Sequence, residues 1–380
     1  MSTLFEHAQQ RTKAPFRYDI VGSFLRPENL KLARAQCNCG EISHTELSII
    51  EDAEITKLVA QQKAVGLHAV TDGEFRRTFW HMDFLAALDG VQEVEAEKFS
   101  VQFKDKDVRP KTLKIVDKID FSAHPFLQHY RTLQQIAGDF PVKFTIPSPS
   151  MLHLICCVRA TDYQPIARYQ DNNELLLADI AAAYKKAIRA FYDLGCRNLQ
   201  LDDTSWGEFC SVEKRAAYAE RGFDVDQIGR DYVKMINAAI ADRPADMAIT
   251  MHICRGNFRS TWFSSGGYEP VAEILFGNCK VDGFFLEYDN DRSGDFKPLR
   301  FIQDQQVILG LVTSKSGELE DKNTIIERIK EAAQYVDINQ LGLSPQCGFA
   351  STEEGNILTE QQQWDKLNFI REISEQVWGK

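Results

Sequence analysis

The stretch that decides the fold is "ELLLADIAAAYKKAIRAFYDLGCRNLQLDD", residues 174–203. It opens as an amphipathic helix, meets Gly195 where a helix C-cap is wanted, and runs into a short apolar strand ending on two aspartates. The same unit stands before it in "IEDAEITKLVAQQKAVGLHAVTDGE" (50–74) and after it in "KNTIIERIKEAAQYVDINQLGLSPQCG" (322–348). Helix-then-strand repetition predicts a parallel sheet with helices packed outside it. Along the chain it gives eight candidate strands, at 18–24, 68–73, 142–148, 198–203, 247–253, 283–288, 306–312 and 340–346. Eight parallel strands fit an α/β fold of the (β/α)8 TIM barrel type, with an open doubly wound sheet as the other arrangement.

No low-complexity linker or composition break splits the chain, so residues 1–380 are expected to form a single barrel domain. One segment breaks the rhythm. Between the second and third strands lies an insertion, about 90–140, containing "VQFKDKDVRPKTLKIVDKI" (101–119). Apolar and polar residues alternate there around a charged turn, which predicts a β-hairpin serving as a lid, a subunit contact or a decorated surface loop.

The bulk composition excludes several function classes. A net charge of −11 with no basic run argues against nucleic acid and against an anionic membrane surface. No apolar stretch approaches the ~20 residues of a membrane helix, and the N-terminal "MSTLFEHAQQRTK" lacks a signal core. A soluble, cytoplasmic protein is expected, with homo-oligomerisation left open. The nine cysteines are odd in number and spread over a long chain, unlike a secreted disulfide framework.

In a barrel of this kind the chemistry gathers at the C-terminal ends of the strands. Those ends carry Gly22-Ser23, Asp72-Gly73-Glu74, "PSPS" (147–150), Asp202-Asp203, His252 with Cys254, Glu287, Ser314-Lys315 and Cys347-Gly348. In "AITMHICRGNFRS" (248–260) the two-residue spacing puts His252 and Cys254 on one side of a strand. On that topology His252, Cys254, Glu287 and Cys347 converge on one mouth. An imidazole, two thiolates and a carboxylate suit Zn²⁺, and the thiolates disfavour Mg²⁺ and Ca²⁺. Cys37 and Cys39, with His44 nearby, are a much weaker second metal candidate, Cys156 and Cys157 read as core or helix positions, and Cys196 precedes a strand at its N-terminal end.

"IVGSFLRP" (20–27), "DGEFRRTFWHMDF" (72–84), "LQLDD" (199–203), "MHICRGNF" (251–258) and "SPQCG" (344–348) stand in an order that resembles the C-terminal catalytic barrel of the cobalamin-independent methionine synthases, from residue 18 to about 350. The resemblance implies a zinc-dependent methyltransferase that methylates the thiol of homocysteine, with His252, Cys254, Glu287 and Cys347 on the metal and Glu287 displaced as the substrate sulfur arrives. It implies that Glu74, Asp202 and Ser23 grip the amino-acid part of the thiol, and it places Lys315 where the family carries a proton-handling histidine. Two departures concern the methyl donor. Pro149 stands where the family stacks a tryptophan on the folate ring, leaving Trp206 or Phe258 as substitute platforms, and the family's N-terminal barrel is not in this sequence. The donor is therefore methyltetrahydrofolate or something simpler. The alternatives are a zinc-dependent thiol alkyltransferase of the epoxyalkane–coenzyme M type, a zinc- and thiol-binding barrel without catalysis, and a metal-free decarboxylase of the uroporphyrinogen type.

Overall fold

The computed structural model describes residues 3–95 and 111–379. An antiparallel hairpin joins β1 (Asp89–Glu95) to β2 (Lys111–Asp120). Six strands form a parallel sheet in chain order: β3 (Phe144–Pro147), β4 (Asn198–Asp203), β5 (Ala248–Ile253), β6 (Gly283–Glu287), β7 (Gln306–Val312) and β8 (Leu341–Pro345). The two remaining expected strands lie at the sheet's edges as single bridges. Tyr18 pairs in parallel with Leu343 of β8, and Val70 with Val142 just ahead of β3. The Phe24 N–H donates to the Gly73 carbonyl at 3.1 Å and Thr71 Oγ1 to the Gly22 carbonyl at 2.6 Å, so these two segments also meet each other. The eight segments thus follow one another in the cyclic neighbour order of a barrel.

The first two segments are shorter than the sequence pattern predicts because side chains take over their ladder bonds. Asp19 accepts from the N–H groups of Phe16 and Ile20 at 3.0 and 2.8 Å. Gln62, reaching in from the helix His44–Ala64, accepts from the Thr71 N–H and donates to its carbonyl, at 2.9 and 2.8 Å.

The helix Asn173–Asp193 forms as its sequence demands. Asn172 caps its first turn by accepting from the Leu175 N–H at 3.0 Å. Leu176, Ile180, Ala183, Tyr184, Ala187 and Phe191 make its buried stripe, each large apolar side chain stabilising by roughly 2 kcal/mol. Gly195, at φ 98°, turns the chain into β4. Along β5, Ile249, Met251 and Ile253 join the main apolar core, while Thr250 and His252 alternate to the opposite face. The barrel interior also holds a buried ion pair, Lys143 with Asp19 at 3.1 Å, whose ammonium lies 3.8 Å from the Phe285 ring centroid.

The hairpin differs from its expected position. Its second strand holds "KTLKIVDKID", but its first is Asp89–Glu95, upstream of the predicted one. The predicted first strand and charged turn, 101–110, lie outside the described residues. The hairpin is tied to the body where the Ile119 N–H meets the Tyr169 hydroxyl at 2.9 Å. Among the described residues no helix is long and apolar enough to cross a membrane.

Candidate metal centre

Three of the sheet's C-terminal ends build a compact cluster. His252 lies within β5, and Cys254 follows the strand's last residue. Glu287 closes β6, and Cys347 lies two residues past β8. One ligand atom from each of the four lies within 4.8 Å of all the others, and all four residues are buried. The Cys254 and Cys347 sulfurs are 3.6 Å apart, and both cysteines are free. Two thiolates at ~2.3 Å on one tetrahedral Zn²⁺ would stand about 3.8 Å apart, so the observed spacing already suits a shared ion.

The hydrogen bonding points the same way. His252 Nδ1 lies 3.1 Å from the Phe285 carbonyl, which fixes that nitrogen as the donor. Nε2 is then the ring nitrogen left over, buried with no hydrogen-bond partner among the described residues. A buried polar nitrogen without a partner costs stability unless something binds it, and a metal ion is what an imidazole nitrogen beside two sulfurs suits once its proton is released. The donor set fits Zn²⁺.

The local electrostatics are those of an anionic cluster under strain. The hydrogen bond between the two thiols, reinforced by burial, pushes Cys254 well up and leaves Cys347 the more acidic partner. For His252 burial opposes the charge, yet the adjacent Cys347 thiolate outweighs it and lifts the imidazole to about 9. Burial raises Glu287, against the pull of Lys315 and Arg292. Protons on Cys254 and His252 are the positive charges a divalent ion would replace.

A narrow cleft opens on this cluster. Ser23, Glu74, Trp80, Asp202, Gly348 and Ser351 line it together with His252, Cys254 and Cys347. Glu74 sits in left-handed backbone at φ 60°, directly after Gly73 at φ 65°. Its Oε1 accepts from Thr145 Oγ1 at 2.8 Å and lies 3.5 Å from Arg77, while Oε2 is buried with no partner among the described residues. Asp202 pairs in register with His252 and accepts from Gln200 Nε2 at 2.7 Å. Burial pushes its carboxyl up to about 7, with His252 opposing and Glu74 adding to the rise. The neighbouring Asp203 faces the other way and accepts from the Ser205 N–H at 2.6 Å where the helix Ser205–Phe209 begins. Ser23 Oγ accepts from the Ala350 N–H at 3.2 Å, which leaves its own hydroxyl hydrogen to donate.

Lys315 does not line the cleft. Its Nζ donates to Asn257 Oδ1 at 2.9 Å, and its charge acts on Glu287 and both thiols. Asn257 in turn donates to the Gly348 carbonyl at 2.7 Å, lacing the loops after β5, β7 and β8 together. Of the suggested aromatic platforms, Trp206 is fully buried against Phe209 and Tyr232 and does not reach the cleft. Trp80 does line it, partly exposed and packed on His81 with ring centroids 4.5 Å apart. Sequence reading passed over Trp80 although it stands inside the quoted "DGEFRRTFWHMDF". Cys37 and His44 approach to 3.4 Å, but they make no cluster of three metal-capable groups among the described residues.

Comparisons with known proteins agree on one family. The sequence model described as "Cobalamin-independent synthase, Catalytic domain" matches residues 17–364. An uncharacterized protein of Bacillus subtilis, YxjH, is 50% identical over 376 residues, covering 98% of this chain and 97% of its own. A solved structure from Listeria monocytogenes, assigned as a vitamin-B12-independent methionine synthase, superposes with a TM-score of 0.78 at 46% identity, covering 97% of this chain and 99% of that one. A B12-independent methionine synthase from Shewanella, solved with selenomethionine, shares the fold with a TM-score of 0.71 at 18% identity, covering 95% and 97%.

Proposed function

The chain belongs to the cobalamin-independent synthase catalytic-domain family, and from that premise we propose that it is a zinc-dependent methyltransferase that methylates the sulfur of homocysteine to give methionine. The observation that carries the reading is the four-residue cluster at the floor of a cleft walled by two buried carboxylates. Zn²⁺ held by His252, Cys254, Glu287 and Cys347 would supply a deprotonated thiol at neutral pH, where a free thiol of pKa ~8.5 is mostly protonated. Two thiolates and a carboxylate around a divalent ion sum to about −1, which keeps a bound sulfur electron-rich. Lys315 and Arg292 provide the counter-charge close by.

The chain's own residues then select the thiol. Glu74 Oε2 and Asp202 are acceptors for an α-ammonium, and charge-assisted bonds of this kind are the strong ones. Ser23 donates its hydroxyl to the α-carboxylate. Coenzyme M has a sulfonate and no ammonium, so this pair of carboxylates argues against an epoxide–coenzyme M reaction. On this reading residues 1–380 act as one catalytic barrel, the nine free cysteines suit a reducing cytoplasm, and Trp80 is the ring against which a planar methyl donor packs. The donor is methyltetrahydrofolate or a simpler methyl compound.

The test is to incubate zinc-loaded protein with homocysteine and a panel of methyl donors and to measure methionine. Methionine formed with at least one donor, and lost on chelation, is the expected result. A protein that carries zinc and binds homocysteine yet transfers methyl from no donor would reduce the reading to a zinc- and thiol-binding barrel.

A further inference from the structure

Glu287 differs from the other three members of the cluster because it is hydrogen-bonded to a group of opposite charge from outside the cluster. Its Oε2 accepts from Arg292 Nη2 at 2.7 Å, and its Oε1 accepts from the Arg255 backbone N–H at 2.8 Å. Arg292 also reaches Asp289 Oδ1 at 3.2 Å. Its side chain is 7% exposed, and its guanidinium lies 4.7 Å over the ring of Trp262. Cys254 and Cys347 have mainly each other, and His252 Nε2 has no partner among the described residues.

We propose that Arg292 is a positioning residue that receives the Glu287 carboxylate when it leaves the metal, and so sets how readily an incoming thiol takes that place. The inference rests on the zinc reading above. A buried carboxylate that gave up an ion with nothing to accept it would be an unpaired charge in a water-poor interior, and that cost would hold it on the metal. Arg292 removes the obstacle. Its planar fork offers donors matched to a carboxylate, and the Arg255 N–H offers another, so both oxygens of Glu287 keep a partner after the change. Packing on Trp262 holds the guanidinium in place while Glu287 changes partner. Among the described residues His252 and the two cysteines have no such alternative partner, which makes Glu287 the replaceable ligand of the four. Lys315 cannot make that distinction, since its charge acts on Glu287 and on both thiols alike.

The experiment uses the zinc-loaded full chain with Arg292→Met and Arg292→Lys. Zinc affinity is measured against a chromogenic chelator, and zinc X-ray absorption counts the sulfur neighbours as homocysteine is added. Both variants are expected to hold zinc at least as tightly as the unchanged protein. Arg292→Met should need about tenfold or more homocysteine to gain a third sulfur, and Arg292→Lys should lie between. A third sulfur appearing in both variants at the unchanged protein's concentration overturns the proposal. So does a parallel fall of zinc and thiol affinity, which would make Arg292 part of the scaffold only. Should Arg292→Met not fold, Arg292→Lys decides alone: an increased homocysteine requirement with zinc affinity intact supports the role, and an unchanged requirement overturns it. The unchanged protein guards the premise, because zinc that never gains a sulfur there overturns the proposed function, and this inference with it.

Discussion

Glu74 concentrates the tension of the site in one residue. A non-glycine at φ 60° costs roughly 1–2 kcal/mol, and its buried Oε2 has no partner among the described residues. The backbone is held in that conformation from three sides: its N–H donates to Asp72 Oδ1 at 2.9 Å, and its carbonyl accepts from Arg26 and from the Arg77 N–H at 2.7 and 2.9 Å. Backbone strain and an unmet acceptor in one residue are what the proposed ammonium-binding role of Glu74 would use. Glu74→Gln is therefore expected to weaken homocysteine binding by roughly tenfold to a hundredfold, the worth of a hydrogen bond to a charged group, and to leave zinc content unchanged. Calorimetric titration with homocysteine and with 3-mercaptopropionate checks it, and equal affinity for the two in the unchanged protein would remove the ammonium from the account. Gly348 is constrained by space instead. A Cβ there would overlap Ser23 Oγ, so Gly348→Ala should displace Ser23 and shift the Cys347 loop, lowering homocysteine affinity and zinc affinity together.

Elements that carry the site were readable to different degrees, and the helix Pro125–Ala137 shows a dependence no pattern reveals. His124 caps it, Nδ1 accepting from the Phe126 N–H at 3.2 Å while Nε2 donates to the Phe84 carbonyl at 3.0 Å. The cap needs the neutral imidazole, and burial lowers its pKa to about 4, against the opposing pull of the Phe84 carbonyl. Its folded pKa lies below the unfolded value of ~6.5, so the stability it contributes is complete above pH ~6.5 and is lost as pH falls toward 4, at up to about 1.4 kcal/mol per unit. His129, lowered to about 4 chiefly by burial, adds in the same direction. His124→Asn keeps a capping oxygen without titrating. Denaturant unfolding at several pH values between 7 and 4.5 should show a shallower fall for the variant, and identical slopes would dismiss the cap. Strands β4 and β7 matched their predicted ranges because each is a continuous buried run bounded by polar residues. The first two strands did not, because Asp19 and Gln62 replace ladder bonds with side-chain bonds, a competition that periodicity does not carry. The same distinction runs through the site. His252, Cys254, Glu287 and Cys347 could be grouped because topology alone brings strand ends together. Trp80 and Arg292 lie in connecting segments whose path no repeat specifies.

At the scale of the whole molecule, the cluster ties together the C-terminal ends of three strands of the parallel sheet. Its members come from the ends of β5, β6 and β8, and the cleft above takes Ser23 and Glu74 from the first two segments. An ion bound there stabilises the folded chain and not the unfolded one, by about 4 kcal/mol when free zinc is 1,000 times its Kd. In a chain of 380 residues each kcal/mol moves Tm by only a degree or two, so the expected rise is several degrees. Scanning calorimetry should therefore place zinc-loaded protein several degrees above chelator-treated protein. Cys347→Ala should melt near the chelated protein and respond to neither zinc nor chelator, because it removes one of the two thiolates of the four-ligand set. Homocysteine should raise Tm further in the zinc-loaded protein and do little in the chelated one, since its sulfur and its ammonium then act from opposite ends of the same cleft. If chelation strips one zinc per chain and Tm stays where it was, the ion is bound outside this cluster, and the four strand-end residues are a packed core with an unpaired histidine.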